Sequence, residues 1–299
     1  MNAVELTRVT KAFLRTLAVD DLSLEVPRGS IYGFIGPNGS GKTTTLRMIL
    51  RILRPDQGTI RVFGTELRDA VSTRIGYLPE ERGLYKRMRV RPMLRFFGEL
   101  RSGRRVDAEI EDWLRRLDLL EHAEKRIEAL SKGTSQRVQF VASVLASPEL
   151  VILDEPFGGL DPVHADLLRS AILDLRQRGT TVILSTHDME LAEQLCDFVL
   201  MIFRGRKVLD GTLADIQSKY GTDTVRVRAA TDAATLARLP GVESVRDLGR
   251  RQELRLHADA DPQRLLRTLL DAGPLESFEI SRPSLHDIFV RIAGCSTAP

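Results

Sequence analysis

The glycine-rich run GPNGSGKTTT, at residues 36–45, constrains the fold more than any other part of the chain. The preceding stretch SIYGFIG, at 30–36, is short and nearly all apolar, which predicts a buried strand. The following stretch KTTTLRMILRIL, at 42–53, has the pattern of a helix. A glycine-rich loop between a strand and a helix is the context that phosphate binding requires, so the sequence predicts an α/β core built around this loop.

The residue types in this loop indicate a nucleoside triphosphate and Mg²⁺ as ligands. Glycines allow successive N–H groups to point at phosphate oxygens, and the start of the following helix adds a favourable dipole. Lys42 is expected to contact the β and γ phosphates, and the Thr43 hydroxyl to bind Mg²⁺. A chance glycine-rich turn would not explain the flanking strand and helix. The predicted ATP-binding residues of the loop are Gly36, Pro37, Asn38, Gly39, Ser40, Gly41, Lys42, Thr43 and Thr44.

Polar groups that suit hydrolysis follow two later apolar strands, LVILDEP at 150–156 and TVILSTH at 181–187. Asp154 is expected to hold Mg²⁺ through water, and Glu155 to act as general base on the attacking water. His187 is predicted to bind the γ-phosphate and that water, although a lone histidine at such a position is more often structural. Two acids could also simply begin a solvated loop, but the apolar run before them makes this less plausible.

The length of 299 residues suits two domains. The nucleotide-binding domain is predicted to span 1–217, with a helical insertion at about 85–146. Residues 218–299 carry no nucleotide motif and read as β-α-β-β-α-β with a terminal helix, which predicts a small α+β domain. Their predicted elements are strands at 223–229, 243–248, 252–258 and 277–282, and helices at 231–239 and 261–271.

Composition argues against several classes of protein. The net charge of +3 lacks the strong basic excess of a dedicated nucleic-acid binder. The two cysteines have no metal-like spacing, which fits a reducing compartment, and Cys196 is expected to be buried. No secretory signal is expected, and no apolar window approaches the roughly 18 residues of a membrane span. Any role at a membrane would therefore need a partner.

With the stretches LSKGTSQR at 130–137 and GGLDP at 158–162, the motif set resembles the ATP-binding-cassette (ABC) family. The resemblance covers roughly residues 1–217 and implies a mixed sheet, an antiparallel β subdomain and a helical insertion. It also implies a head-to-tail homodimer with two ATP molecules between the subunits. Ser131, Lys132 and Gly133 would contact the ATP of the opposite subunit, with a helix expected from near Ser135. Asp161 would lie at the dimer seam, and Phe13 would stack on adenine, although a core aromatic is as plausible there.

The sequence also departs from the usual family pattern. Lys132 and Thr134 replace a glycine and a glutamine of the signature, while Ser131 and Gly133 are kept. Glu80 occupies the position of a glutamine that contacts Mg²⁺, and a carboxylate can also bind this ion. The stretch YLPEERGLY and the C-terminal region resemble the single-cassette ATPases of bacterial exporters, which include sodium-extrusion and drug-resistance systems.

This resemblance predicts a peripheral subunit at the cytoplasmic face of the membrane that hydrolyses ATP to drive a separate permease. The permease is expected to dock near residues 80–97, against Leu84, Tyr85 and Met88. Two alternatives remain open, a soluble cassette acting on ribosomes or DNA, and an importer cassette. No nucleic-acid partner is expected, because the chain has no second cassette, long coiled coil or basic arm. The transported substrate cannot be read from the sequence.

Overall fold

The computed structural model describes residues 1–14, 16–66, 73–81, 83–220, 224–229, 231–257 and 260–295. The chain forms two compact units, Met1–Thr212 and Leu213–Pro299. Their division falls a few residues before the boundary predicted between 217 and 218. The predicted strands at 223–229 and 252–258 each include one residue outside the described part of the chain.

The strands of the first unit are β1 (Asn2–Phe13), β2 (Thr16–Pro27), β3 (Ile31–Ile35), β4 (Gln57–Val62), β5 (Ile75–Leu78), β6 (Leu150–Asp154), β7 (Thr181–Thr186), β8 (Phe198–Phe203) and β9 (Arg206–Thr212). Within the described residues, six of them form one sheet in the order β5-β6-β7-β3-β8-β9. Neighbours from β5 to β8 are parallel, and β9 closes the edge as an antiparallel hairpin with β8. A separate antiparallel sheet has the order β2-β1-β4.

The helices of this unit are α1 (Lys42–Ile49), α2 (Val90–Ser102), α3 (Asp107–Arg116), α4 (Lys132–Val144), α5 (Pro162–Gln177) and α6 (Met189–Leu195). Helices α2 to α4 lie in the chain between β5 and β6, where the helical insertion was predicted. The helix predicted at 42–53 ends early, because Arg51 has a left-handed φ of 58°. The helix predicted to begin near Ser135 begins at Lys132, since Ser131 already caps it.

Alternating side chains of the central strands supply two hydrophobic cores, one on each face of the large sheet. In β6, Ile152 packs with α1 and the antiparallel sheet, while Leu153 packs with the helices of the insertion. Ile183 and Leu184 of β7 divide in the same way. Parallel strands covered on both faces are apolar throughout, which is why these runs show no polar alternation.

The second unit contains β10 (Thr224–Ala229), β11 (Val242–Asp247), β12 (Gln252–Leu256) and β13 (Leu275–Ser281), with helices α7 (Leu213–Lys219), α8 (Ala233–Leu236), α9 (Pro262–Ala272) and α10 (Leu285–Cys295). The strands form an antiparallel sheet in the order β11-β12-β10-β13. Strand β12 therefore lies between β10 and β11, which is the split β-α-β arrangement that the element order predicts. Its core joins Val225, Leu254 and Leu265.

The predicted helix at 261–271 and the predicted terminal helix are present in the structure as α9 and α10, and local caps begin both. Asp261 caps α9 by accepting from the Gln263 amide at 2.9 Å, and Pro262 follows as the first helical residue. Before α10, the Asp287 amide donates to Ser284 Oγ at 3.2 Å and the Ser284 amide donates to Asp287 Oδ2 at 3.0 Å. This is a reciprocal capping box in which aspartate takes the place of the usual glutamate.

Candidate nucleotide site

A cleft of about 560 Å³ brings the glycine-rich loop together with the predicted acids. Parts of β2, the end of β6 and the segment after β5 also reach it, although they are far apart in sequence. The residues lining it are Thr16, Leu17, Ala18, Asn38, Gly39, Ser40, Gly41, Lys42, Thr43, Thr44, Glu80, Asp154, Glu155 and Arg204. A second cleft of about 600 Å³ beside Trp113 and Thr180 contains none of the predicted site residues.

The loop backbone has a shape that only glycine permits at its closest approaches. Gly41 immediately precedes α1 and has a φ of 109°. A Cβ atom at Gly41 would overlap the backbone oxygen of Ala18, and one at Gly36 would overlap that of Ile202. Both residues therefore combine an unusual φ with a close backbone neighbour, which fixes the loop against the strands.

Lys42 is buried beneath this loop. Its Nζ donates to the Gly36 oxygen at 2.7 Å and to the Pro37 oxygen at 3.2 Å. Burial lowers the pKa of Lys42, and the charges of Glu155, Asp154 and Glu80 partly oppose this effect. The ammonium group is therefore held at the base of the loop, where phosphate oxygens would replace carbonyls as acceptors.

Asp154 ends β6 and is 1% exposed. Neither carboxylate oxygen has a hydrogen-bond partner within the described part of the chain. A buried, unpaired carboxylate is costly unless a cation compensates it, so this residue fits a bound Mg²⁺. Among the described residues, no group of three or more His, Cys, Asp or Glu side chains could hold a metal alone. Phosphate and hydroxyl oxygens would therefore have to complete the coordination.

Glu155 and His187 lie side by side at the mouth of the cleft. His187 Nδ1 is 2.9 Å from Glu155 Oε1, and the Glu155 amide donates to the Ser185 oxygen at 3.0 Å. Glu155 has a left-handed φ of 50°, which is uncommon for a residue with a side chain. The glutamate is 17% exposed and the histidine 65%, so the pair can reach a solvent molecule.

The signature residues make contacts away from this cleft. Ser131 caps α4 by accepting from the Thr134 amide at 3.1 Å. Gly133 lies against Gly159, whose oxygen would be 3.0 Å from an added Cβ. Asp161 caps α5 and accepts from the His164 amide at 3.1 Å. The residues predicted as parts of the site that do not line the cleft are Phe13, Gly36, Pro37, Ser131, Lys132, Gly133, Asp161 and His187.

Phe13 ends β1 and is 43% exposed, with Lys11 Nζ 5.5 Å from the ring centroid. This exposure makes the ring available for stacking and argues against the alternative of a core aromatic. Strand β2, which pairs with β1, supplies Thr16, Leu17 and Ala18 to the cleft. Sequence reasoning missed these three residues and Arg204, because nothing in their own pattern distinguishes them.

A smaller cleft of about 250 Å³ lies where permease docking was predicted. It is lined by Leu84, Phe97, Leu100 and Gln139 among other residues. Tyr85 stacks on Phe97 with ring centroids 5.7 Å apart, and Tyr85 and Phe96 remain about half exposed. Leu84 and Met88 are partly buried against the core of the helical insertion. Tyr85 and Phe96 thus form an exposed aromatic surface, and Leu84 and Met88 anchor the segment to the core.

Cys196 follows α6, and burial raises the pKa of its thiol to about 12. The thiol lies against Gly33 of β3, where an added Cβ would be 2.8 Å from Sγ. These contacts fit the burial that the sequence predicts, and a buried thiol with a raised pKa is unreactive.

Comparison with known proteins matches residues 19–158 to the ABC transporter family, and residues 211–293 to the C-terminal domain of DrrA1-3-like ATP-binding proteins. The chain is 38% identical over 288 residues to YhaQ of Bacillus subtilis (strain 168), an uncharacterized ABC transporter ATP-binding protein, covering 96% of this chain and 97% of that protein. This chain belongs to the ABC transporter ATP-binding proteins. The predicted family is therefore confirmed.

Further similarity supports the exporter branch of this ABC family. The chain is 34% identical over 308 residues to the Nod factor export ATP-binding protein I of Paraburkholderia xenovorans (strain LB400), covering 98% of this chain and 97% of that protein. A solved ATP-binding subunit of an ABC transporter has a TM-score of 0.68 and 31% identity, covering 73% of this chain and 93% of that one. The predicted cassette fold is confirmed as well.

As an ABC cassette, the protein binds ATP and hydrolyses it to power transport, as predicted. The relatives that are named for export favour an export role over an importer cassette and over a soluble cassette acting on ribosomes or DNA. In the part of the chain that the structure describes, no helix is long and apolar enough to cross a membrane.

Proposed function

We propose that two copies of this chain close on two ATP molecules and thereby drive export through a separate membrane permease. The observation that carries the proposal is the convergence of Lys42, unpaired Asp154 and Glu155 on one cleft, with His187 in contact with Glu155 from outside the cleft lining. The signature residues lie outside the lining of that cleft, which is the distribution that a shared, two-subunit site requires.

Within one subunit, the loop amides and Lys42 bind the phosphates of ATP, and Thr43, Asp154 and Glu80 would hold Mg²⁺, directly or through water. The bound Mg²⁺ would neutralise charge that develops on the transferred phosphoryl group. Lys42 contributes in the same sense, because its ammonium is already buried at the loop and needs no rearrangement of solvent. Phe13 stacks on the adenine ring.

Glu155 accepts the proton of the attacking water as general base. His187 Nδ1–H donates to Oε1 of Glu155, so the histidine orients this carboxylate and leaves the other oxygen for water. The left-handed backbone of Glu155, held by its bond to Ser185, fixes the starting point of the side chain. His187 also contacts the γ-phosphate when the subunits close.

The second copy completes each site. Ser131 can donate its hydroxyl proton to a γ-phosphate oxygen while its lone pairs still cap α4. Gly133 allows the backbone to approach the phosphate, and the N-terminus of α4 adds a favourable dipole. Lys132 supplies positive charge at the same turn, and Asp161 lies at the seam between copies.

The smaller cleft beside Leu84, Tyr85 and Met88, hereafter called the aromatic cleft, receives the permease. The half-exposed rings of Tyr85 and Phe96 beside the cleft provide apolar area, and Arg101 in its lining provides charge for a polar rim. Through this contact the chain is held as a peripheral subunit at the cytoplasmic face of the membrane. Recovery of a polytopic membrane protein with the chain from detergent extracts is expected, whereas recovery of ribosomes or DNA instead would contradict the proposal.

The decisive test replaces the proposed base by Glu155→Gln. We expect ATP binding to persist, because the cleft keeps its shape and loses a negative charge. Turnover should fall by about 10²- to 10⁴-fold, as for loss of a general base. A dimer should accumulate with ATP and Mg²⁺, measured by light scattering after size exclusion.

The matched control is Glu190→Gln, which removes an exposed glutamate of α6 outside the cleft lining. This variant should keep the turnover and the monomer–dimer balance of the unaltered protein. Normal turnover in Glu155→Gln would exclude Glu155 as base, and a strictly monomeric Glu155→Gln protein with ATP and Mg²⁺ would exclude the two-subunit site.

A further inference from the structure

Helix α4 carries several buried polar side chains, and Gln139 is one of them. Its side chain is 4% exposed, and a buried amide needs hydrogen-bond partners. Gln139 lies two turns beyond the signature residues at the start of the same helix. It is therefore part of the element that begins with Ser131 but is remote from the signature turn itself.

The partners of this amide are backbone carbonyls on the two sides of Glu80. Gln139 Nε2 donates to the Pro79 oxygen at 3.4 Å and to the Glu81 oxygen at 3.3 Å. Both distances are slightly longer than the roughly 2.7–3.2 Å of a typical N–H···O hydrogen bond, in keeping with one nitrogen that serves two carbonyls. Glu80 lies between these anchors, and its own side chain is exposed and lines the nucleotide cleft.

We infer that Gln139 is a positioning residue that holds the peptide groups flanking Glu80 and so presents the Glu80 carboxylate to the nucleotide and its metal ion. The inference rests on the proposed function, because it concerns the same cleft. Where the family usually has a neutral glutamine, this chain has a charged group, whose effect on a cation changes steeply with distance. A carboxylate at this position is useful only if its backbone is held, since metal ligands must be placed closely.

The anchor also joins two parts of the protein. The signature turn and the Gln139 amide belong to one helix, so any displacement of α4 carries the Glu80 segment with it. On its other side, Gln139 lines the aromatic cleft with Leu84 and Phe97. Gln139 therefore sets the position of Glu80 from within the helical insertion.

The test measures the Mg²⁺ concentration for half-maximal binding of adenylyl imidodiphosphate to the full chain. Gln139→Met keeps the length of the side chain and removes its donor, and we expect the midpoint to rise about three- to tenfold, the range of a typical lost hydrogen bond. Glu80→Gln should raise the midpoint in the same direction. The double variant should show no further rise beyond Glu80→Gln, because Gln139 acts through Glu80.

Ser143→Ala is the matched control, since Ser143 is a buried polar residue of the same helix and lines the same aromatic cleft. Among the described residues, its hydroxyl donates only to the Phe140 oxygen in α4. It should lower thermal stability without moving the Mg²⁺ midpoint. Should Gln139→Met fail to fold, Gln139→Asn retains an amide that is too short to reach both carbonyls, and the same rise is expected.

An unchanged midpoint in a folded Gln139 variant, an unchanged midpoint in Glu80→Gln, or additive shifts in the double variant would each overturn this inference alone. Failure of the unaltered chain to bind the nucleotide at any Mg²⁺ concentration would instead overturn the proposed function, and the two failures are therefore distinguishable.

Discussion

Gly76 of β5 has no side chain, and helix α4 packs into the space that a side chain would occupy. A Cβ atom there would overlap the backbone oxygen of Ser143, and the backbone φ of Gly76 is an ordinary one. We expect Gly76→Ala to lower the free energy of unfolding by about 3 kcal/mol, because neither strand nor helix backbone can yield without loss of packing. Chemical denaturation of the full chain measures this change.

The comparison for this residue is Gly103, which ends α2 with a φ of 67° and has no atom within 4 Å of an added Cβ. Gly103→Ala should cost only the backbone strain, about 1 kcal/mol. Equal costs for the two variants would mean that β5 and α4 are not in the close contact that the structure describes.

At the scale of elements, the second unit is crossed by a row of alternating charges. Arg246 of β11 faces Glu253 of β12, which faces Arg226 of β10, which in turn faces Glu279 of β13. Arg226 Nε is 2.9 Å from Glu253 Oε2, and the glutamate is 12% exposed. Asp287 of α10 lies within 4 Å of both arginines, so the row also holds this helix over the sheet.

We expect Glu253→Gln to destabilise the second unit by about 1–2 kcal/mol, since Arg226 loses a shielded charge partner. Glu276→Gln removes a comparable bond, with Arg228 Nε 2.8 Å away, but this glutamate is 62% exposed. Its loss should cost less than about 0.5 kcal/mol. Urea unfolding of the second unit measures the loss of stability in each variant. A larger loss in Glu276→Gln than in Glu253→Gln would contradict the conclusion that the shielded glutamate contributes more.

At the scale of the whole molecule, the two units have separate hydrophobic cores. The first unit has cores on both faces of its large sheet, and the second has its own around Val225 and Leu265. We therefore expect two unfolding transitions in calorimetry. ATP analogue with Mg²⁺ at about 100 times its Kd should stabilise only the first unit, by about 2.7 kcal/mol.

The second transition serves as an internal control, because no residue of the second unit lines the nucleotide cleft. A single unfolding transition whose midpoint temperature rises with nucleotide would contradict the expectation that the two cores unfold independently.

The sequence by itself determined the elements whose signals are local. Residues 36–45 predict a phosphate loop because glycine spacing and the flanking apolar strand suffice to define it. Asp154 and Glu155 follow from their position at the end of a buried strand. The capping box of Ser284 and Asp287 also depends on neighbouring residues alone.

The tertiary structure alone decided which distant residues meet. Thr16 to Ala18 reach the cleft because β2 pairs with β1 beside the loop, and Glu155 meets His187 because β6 and β7 are neighbours. Gln139 reads as an ordinary polar residue of a helix, and its bond to the Glu80 segment depends on how α4 packs near β5. Local patterns fix strands, helices and caps, but contacts between segments far apart in the chain depend on packing that no local pattern encodes.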